Sequence, residues 1–456
     1  MHHKPRITRI ASASAVCAVG LLLGMPAQAD DQSERIKALE RQLETSLQLI
    51  EKLSARVSEL ERATKAVPAA TVPEPPAARA AAVAPPARQT THEHMGAERE
   101  AADASARARA SGIPVRGFAD VEAVWSSGDD PARRNGFSVG TLDLYLTPQF
   151  GDRVKALFEI AFEFEESGAG AADMERVQLG YTFNDSLTLW LGRFHTPFGL
   201  WNTLFHHGAN LQTSIFRPRF IAFEDKDGIL PVHAVGMWAS GKTRLGSERI
   251  TYDAYLANGS VIRRGRLDPN SFTDNDGNKM LGFNLGYQPG GSFEGLTVGL
   301  HGFGSTVKAF ATDGTSLGST RLRAAGAYFG YDTDQWEGIG EYYHFANAAT
   351  AGGGSRASNA WFAQVGRNIG SLTPFVRYER VSLDPADLYF RTQTAGRSYR
   401  RAALGARYAF DAMSSVKFEL SSTRESALTQ IDETGALVPF VGGSYRRAAF
   451  QYSIAF

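Results

Sequence analysis

The closing stretch, Arg446–Phe456, alternates without a break: Phe450, Tyr452, Ile454 and Phe456 fall on one side, and Ala449, Gln451, Ser453 and Ala455 on the other. Successive side chains of a strand face opposite sides of its sheet, so one face of this segment is apolar and the other small and polar. In a soluble sandwich the apolar face would meet a core. In a membrane barrel it would meet lipid while the polar face lines water. One strand leaves both open; recurrence about every twenty residues, with short and long connections in turn, separates them.

The pattern does recur from about residue 113. Strands are expected near 115–125, 137–147, 154–165, 173–183, 187–194, 228–240, 248–258, 279–287, 295–306, 321–333, 336–346, 359–369, 371–382, 400–410, 414–423 and 446–456, about sixteen in all. The clearest carries Val154, Ala156, Phe158, Ile160, Phe162 and Phe164 on one face against Lys155, Glu159, Glu163 and Glu165 on the other. A soluble core has no use for six apolar residues in unbroken alternation with so many charges. Val177, Leu179, Tyr181 and Phe183 repeat it opposite Arg176, Gln178 and Thr182, as do Val416, Phe418 and Leu420 opposite Lys417, Glu419 and Ser421. Tight turns at 184–186, 333–335, 370 and 411–413 separate long polar connections at 259–278, 307–320, 347–358, 383–399 and 424–445. That division suits periplasmic turns and external loops of an all-β, antiparallel up-and-down transmembrane barrel. Strands 336–346 and 359–369 alternate weakly, which would suit a subunit interface in place of lipid.

Composition agrees. Mean hydropathy is −0.24, and apart from the N-terminus no apolar run is long enough for a membrane-spanning helix. Gly (46), Phe (28) and Tyr (15) are abundant, as curved sheet with aromatic girdles requires. Lys+Arg and Asp+Glu both stand at 48, so bulk charge singles out no polyanionic partner such as nucleic acid.

Ahead of the barrel, 1–29 reads as a signal peptide: Lys4, Arg6 and Arg9, an apolar stretch from Ile10 to Leu23, then Ala27-Gln28-Ala29. The single cysteine, Cys17, lies inside it, so the mature chain offers no disulfide, Cys metal site or Cys nucleophile. Residues 30–65 carry a heptad seam with Ile36, Leu43, Ile50 and Val57 at a and Leu39, Ser46, Leu53 and Leu60 at d, a coiled coil expected in the periplasm. By peptide rules, β-branched a with Leu at d favours two strands. Residues 66–112 are an Ala/Pro-rich linker, and 113–456 form the barrel.

Function should sit in the longest internal interruption, His195–Asp227. It is apolar for an external loop, with Phe198, Leu200, Trp201, Leu204, Phe205, Ile215, Phe216, Phe220, Ile221 and Phe223, so it should be packed against something. Its charges, Arg217, Arg219, Glu224, Asp225, Lys226 and Asp227, are the candidate constriction residues. Wall residues would add to their field: Asp120, Glu122, Asp143, Glu159 and Glu163 early in the barrel, with Arg176, and Arg323, Arg377, Arg401 and Arg407 late. Acids and bases on different wall segments imply a transverse field, with Arg217 and Arg219 favouring small polar or anionic solutes. The alternative is that the loop charges pair locally.

Leu191-Gly192-Arg193-Phe194-His195-Thr196-Pro197-Phe198-Gly199-Leu200 resembles the strand-to-loop motif of the phosphate-selective porin superfamily, Gly-Lys/Arg-Phe followed by Pro-Phe-Gly-Leu. The resemblance implies a trimeric outer-membrane porin of a Gram-negative bacterium whose third external loop folds into the lumen. The signal, coil and linker look like coiled-coil-bearing members that take up aromatic dicarboxylates, and Phe456 looks like the C-terminal signal read by the barrel-assembly machinery. Trp201 stands where an acid is usual and His195 where a base is common, so phosphate specificity is not carried over.

The resulting expectation is a homotrimeric porin for passive diffusion of small hydrophilic or anionic solutes, in contact with outer-membrane lipid and, through its coil, peptidoglycan. No catalysis, cofactor or metal is expected. Gly314-Thr315-Ser316-Leu317-Gly318 matches a nucleophile elbow, but without the strand-then-helix context that motif needs. Asp274–Asn278 and Glu224–Gly228 are incomplete calcium loops. The adjacent His206 and His207 are expected as a loop pair. The rival readings are an envelope tether with a plugged barrel and an outer-membrane barrel hydrolase.

Overall fold

The computed structural model describes residues 115–456 except 131–134, 165–169, 206–208, 225–227, 269–272 and 275–276. The signal, coiled-coil and linker expectations, with seam residues Ile36 to Leu60, lie outside the described residues, as do His206, His207, Asp225, Lys226 and Asp227.

Sixteen long strands close a single antiparallel barrel. In order they are β1 (Val115–Gly128), β2 (Asn135–Leu146), β3 (Val154–Phe164), β4 (Gly170–Asn184), β5 (Leu187–His195), β6 (His233–Leu245), β7 (Glu248–Asn258) and β8 (Lys279–Gln288). There follow β9 (Leu296–Phe310), β10 (Ser316–Asp332), β11 (Trp336–Ala349), β12 (Ser355–Arg367), β13 (Leu372–Ser382), β14 (Tyr399–Ala409), β15 (Ser414–Glu425) and β16 (Gly443–Ala455). Each pairs with the next, and β1 pairs with β16, from Phe118 opposite Ala455 to Gly128 opposite Tyr445. The seam is finished by Gly117 and Phe456, which exchange backbone hydrogen bonds of 2.9 and 3.0 Å. A side chain at Gly117 would meet the Phe456 ring, so the closing contact needs glycine there.

Alternation decides the faces. On β15, Val416, Phe418 and Leu420 are outward, while Ser415, Lys417, Glu419, Ser421, Thr423 and Glu425 are buried on the inner side. The exposed outer positions are apolar around the barrel, including Leu179, Leu191, Leu281, Leu300, Val376 and Leu404. With no water at that surface, closure leaves no unpaired sheet edge, the requirement for crossing a bilayer with strands. Ring pairs mark the girdles: Tyr181 with Phe183 (4.9 Å) and Tyr408 with Phe410 (5.3 Å) toward the short turns, and Trp125 with Phe137 (6.2 Å) and Trp361 with Tyr378 (5.5 Å) toward the long loops.

The short connections form where expected. Asn184 Oδ1 accepts Ser186 N at 2.9 Å, Asp411 Oδ1 accepts Met413 N at 2.8 Å, and Gly370 adopts φ +58. Several long connections are shorter than the sequence suggests. β9 and β10 run on to Phe310 and back from Ser316, and β11 and β12 to Ala349 and from Ser355, because Val307, Ala309, Leu322 and Phe345 keep packing inward beyond the lipid band. Conversely, 228–232 is not strand: Ile229, Leu230 and Val232 are buried within the long loop, where an apolar run around Pro231 only imitates a strand in sequence.

One further reading changes. Arg323 is exposed on the outer face of β10, since Leu322 and Ala324 take the inward positions; in Thr-Arg-Leu-Arg-Ala-Ala local pattern fits either parity, and an apolar partner inside the barrel chose this one. The weak alternation of β11 and β12 also has an inner cause: Ile339, Tyr343, Phe345, Ala360 and Phe362 point inward into an apolar core. The elbow motif opens β10, where Ser316 Oγ accepts Gly318 N at 3.3 Å in an exposed turn with no helix after it.

Candidate functional site

Residues 196–232 leave the end of β5, cross the lumen and return to β6. Entry is fixed by the motif residues. Thr196 N donates to Val232 O at 2.8 Å, joining the two ends of the loop, and Asn202 Nδ2 donates to Thr196 O at 2.9 Å. Gly199 has φ +62, and a Cβ on it would overlap the Glu341 carboxylate and the Tyr343 hydroxyl. That close approach lets Glu341 Oε1 accept Leu200 N at 2.9 Å and Trp201 N at 2.5 Å, while Asn284 Nδ2 donates to Gly199 O at 3.0 Å. Gly192 (φ +125) is likewise constrained, since its Cβ would strike Val177 O. The motif is a device for turning the chain off the wall against a buried carboxylate.

The first part of the loop, with a short helix α1 (Trp201–Leu204), is packed by aromatic contact. Phe198 lies against Phe303 (5.4 Å), Trp201 against Phe362 (5.5 Å) and Phe220 against Tyr343 (5.3 Å). Ile221, Ile229 and Leu230 complete this core with Tyr389 and Phe390 from the external connection 383–398. Each such side chain contributes roughly 1.5–3 kcal/mol on burial, so the apolar character of the loop is spent inside the barrel.

The second part is held by charge on β13, β14 and β15. Glu419 Oε2 accepts Ile215 N (3.0 Å) and Phe216 N (3.2 Å), and Glu379 Oε2 accepts Arg219 N (2.8 Å). Arg377 donates to Phe216 O (2.7 Å) and Ser214 Oγ (2.9 Å) while bridging Glu379 (3.1 Å) and Glu419 (3.3 Å). Arg401 reaches Glu419 (3.3 Å), Arg407 donates to Asn210 O (3.3 Å), and Lys417 Nζ donates to Ala209 O. All of these wall residues except half-buried Arg407 are nearly inaccessible.

The loop charges follow the same logic. Arg219 pairs with Glu425 (2.6 Å) and lies over the Tyr399 ring. Arg217 donates to Ile221 O and Asn202 Oδ1, both at 3.1 Å, over Phe223; burial lowers its pKa to about 10, so it stays charged at neutral pH. Glu224 turns back to accept His233 N at 3.1 Å. These three therefore reach the wall or the loop backbone. At the roots of the loop, His233 Nε2 meets Glu175 at 2.6 Å and His195 Nε2 meets Glu159 at 3.3 Å, with Arg176 on the same Glu159. Glu175 is the extra residue where the β3–β4 register shifts.

The acids expected on the early wall face inward: Asp120 accepts Thr141 N (3.1 Å) and Gln451 Nε2 (3.1 Å), Glu122 accepts Ser138 Oγ (3.3 Å), Asp143 is buried, and Glu163 is half-buried. On the late wall, Arg377 and Arg401 share their place with Glu379 and Glu419, so the base-rich side is largely compensated. Glu341, Glu379, Glu425 and Glu175 were not among the sequence candidates. Alternation places Glu379 and Glu425 inward, but their partners are loop backbone groups that no local pattern reveals.

Arg219 gives a direct check. Arg397, at 3.8 Å, would be left as the buried Glu425 carboxylate's cation, so Arg219→Ala, which removes the short charged hydrogen bond, should lower unfolding stability by about 1.5–3 kcal/mol; equilibrium urea unfolding in detergent measures it, and Glu425→Gln in the same background should recover a large part. The external connection gives a second. Asp387 caps a short helix α2 (Leu388–Arg391) and accepts Tyr389 N (3.0 Å) and Asn347 Nδ2 (2.9 Å), and burial raises its pKa from 3.8 to about 6. A raised folded-state pKa favours docking in the protonated form: docking is strongest below about pH 4 and weakens as pH rises through about 6. Hydrogen exchange in 383–398, corrected for intrinsic rates, should be slower near pH 5 than near pH 7.5, and Asp387→Asn should remove the difference.

A closed sixteen-stranded membrane barrel with its third long loop packed inside the lumen is the class that fold and site define. The anion-selective porin from Comamonas acidovorans shares the fold, with a TM-score of 0.51 and 14% identity over 76% of this chain and 99% of that one. OprB of Pseudomonas putida aligns at TM-score 0.49 and 10% identity over 80% and 97% of the two chains, and the outer-membrane channel DcaP of Acinetobacter baumannii at 0.45 and 13% over 75% and 97%. No protein-family profile matches the chain, and no curated protein sequence does.

Proposed function

We propose that the protein is an outer-membrane porin of a Gram-negative bacterium, a passive channel for small hydrophilic solutes. The observation that carries this is the loop 196–232: a barrel built only as an anchor needs no loop held across its lumen by Glu341, Glu379 and Glu419. Because the constriction and late-wall arginines are paired in place, we propose selection mainly by size and polarity, with the anion preference of Arg217 and Arg219 weak. In a salt gradient, Arg217→Ala/Arg219→Ala should shift the reversal potential only slightly; a reversal of ion preference would show that these side chains set selectivity. Single-channel recording in planar bilayers tests the channel itself: discrete steps are expected, and a silent, folded barrel overturns it.

The dense core of the loop favours one second reading, a plugged barrel serving as an envelope tether. The same recording separates the two. In our reading the chain is homotrimeric, as in the phosphate-selective superfamily its motif resembles. Residues 30–65 form a periplasmic coil that meets peptidoglycan, and Phe456 engages the barrel-assembly machinery. Deleting 30–112 should leave conductance intact while weakening trimer yield or wall attachment.

A further inference from the structure

The outer face of the last four strands carries a row of arginines. Arg380 on β13 stands directly opposite Arg400 on β14, and Arg400 directly opposite Arg424 on β15. Arg446 on β16 opposes Ser422, one pleat nearer the membrane than Arg424. All four are exposed, and among the described residues none has a side-chain partner. The outward positions of these strands hold no carboxylate: below the row they are Val376, Tyr378, Ala402, Leu404, Phe418, Leu420, Phe450 and Tyr452. The acids of the same strands, Glu379, Glu419 and Glu425, are inward and committed to the loop.

Directly opposed like charges on a sheet face are destabilising, so three in register call for a counter-anion spanning them. Height identifies it. The row lies at the strand ends joined by the long connections 383–398 and 426–442, which are external in such a barrel. It stands level with Trp361, the backbone partner of Arg380, and one pleat beyond Tyr378, whose ring packs on Trp361. Aromatic girdles mark the membrane–water interface, so the guanidinium groups sit at headgroup level directly above apolar wall. Arginine's planar fork suits phosphate, which it can grip bidentately.

We propose that the outer rim of β13–β16 is a binding site for a phosphorylated lipid of the external leaflet, with the headgroup phosphate on Arg380, Arg400 and Arg424 and the acyl chains along Tyr378, Leu404 and Leu420. The site rests on the membrane-barrel reading but is independent of whether the channel conducts.

The test uses the full chain extracted from outer membranes in mild detergent. Native mass spectrometry should find phosphorylated lipid retained on the wild type and reduced about tenfold in Arg380→Gln/Arg400→Gln/Arg424→Gln, with partial retention in the triple lysine variant. For delipidated wild type, bis-phosphorylated lipid A should raise Tm, while dephosphorylated lipid A and inorganic phosphate should not. Unchanged heat-modifiable migration on gels and unchanged conductance confirm that the variant is folded. Equal lipid retention by wild type and glutamine variant overturns the proposal, as does stabilisation by the dephosphorylated lipid or by free phosphate. Loss of trimer with lipid content unchanged overturns it too, and assigns the row to a subunit contact.

Discussion

Gly199→Ala should release the lumen loop and raise single-channel conductance about twofold, with the barrel itself still formed. Two costs combine there. A residue with a Cβ held at φ +62 costs about 1–3 kcal/mol. The added methyl also needs the space of the Glu341 carboxylate and the Tyr343 hydroxyl, so the carboxylate must leave Leu200 N and Trp201 N, each a buried donor worth about 1–3 kcal/mol when stranded. Gly151→Ala separates the terms. Gly151 has φ +66 with open space around its missing Cβ, so that variant carries backbone strain without collision, and conductance should not change. If both variants behave alike, the contact between Gly199 and Glu341 does not hold the loop.

Glu419→Ala should have the second large effect. Glu419 is fully buried, accepts Ile215 N and Phe216 N, and is the common partner of Arg377 and Arg401. Its removal strands two loop donors and leaves two buried cations with reduced compensation, an expected loss of about 3–5 kcal/mol. The Arg401 side of the wall should relax and the loop tip around Phe216 detach, seen as lower Tm and greater open-channel noise. A double-mutant cycle with Arg377→Gln should give a combined loss well below the sum of the single losses, because each variant breaks the same network. Strict additivity would mean that Arg377 and Glu419 act independently of one another.

Both expectations depend on residues that the sequence presents unevenly. Glu419 can be placed inward from Val416-Lys417-Phe418-Glu419-Leu420 alone, because the period-2 pattern is local. Its role cannot: its partners Ile215 and Phe216 lie 204 and 203 positions away. The charged residues of the loop illustrate the limit from the other side. Arg217, Arg219 and Glu224 were recognisable as charges in an apolar loop, but whether they face water or wall depends on Glu425, Asn202 and His233, which only the closed barrel brings to them. The motif from Gly192 to Leu200 was legible as a unit, yet the reason for Gly199, the carboxylate of Glu341 far downstream, was not.

The chain by itself determined the sixteen strands, their order and most of their faces, because lipid on one side and water or packed loop on the other impose alternation residue by residue. Tertiary structure alone decided which way Arg323 points, why β11 and β12 alternate weakly, and how the long loop is fastened. In those places the inner side of the wall is itself apolar protein, so the contrast between faces that makes a strand readable is lost, and the outcome is set by contacts between residues far apart in sequence.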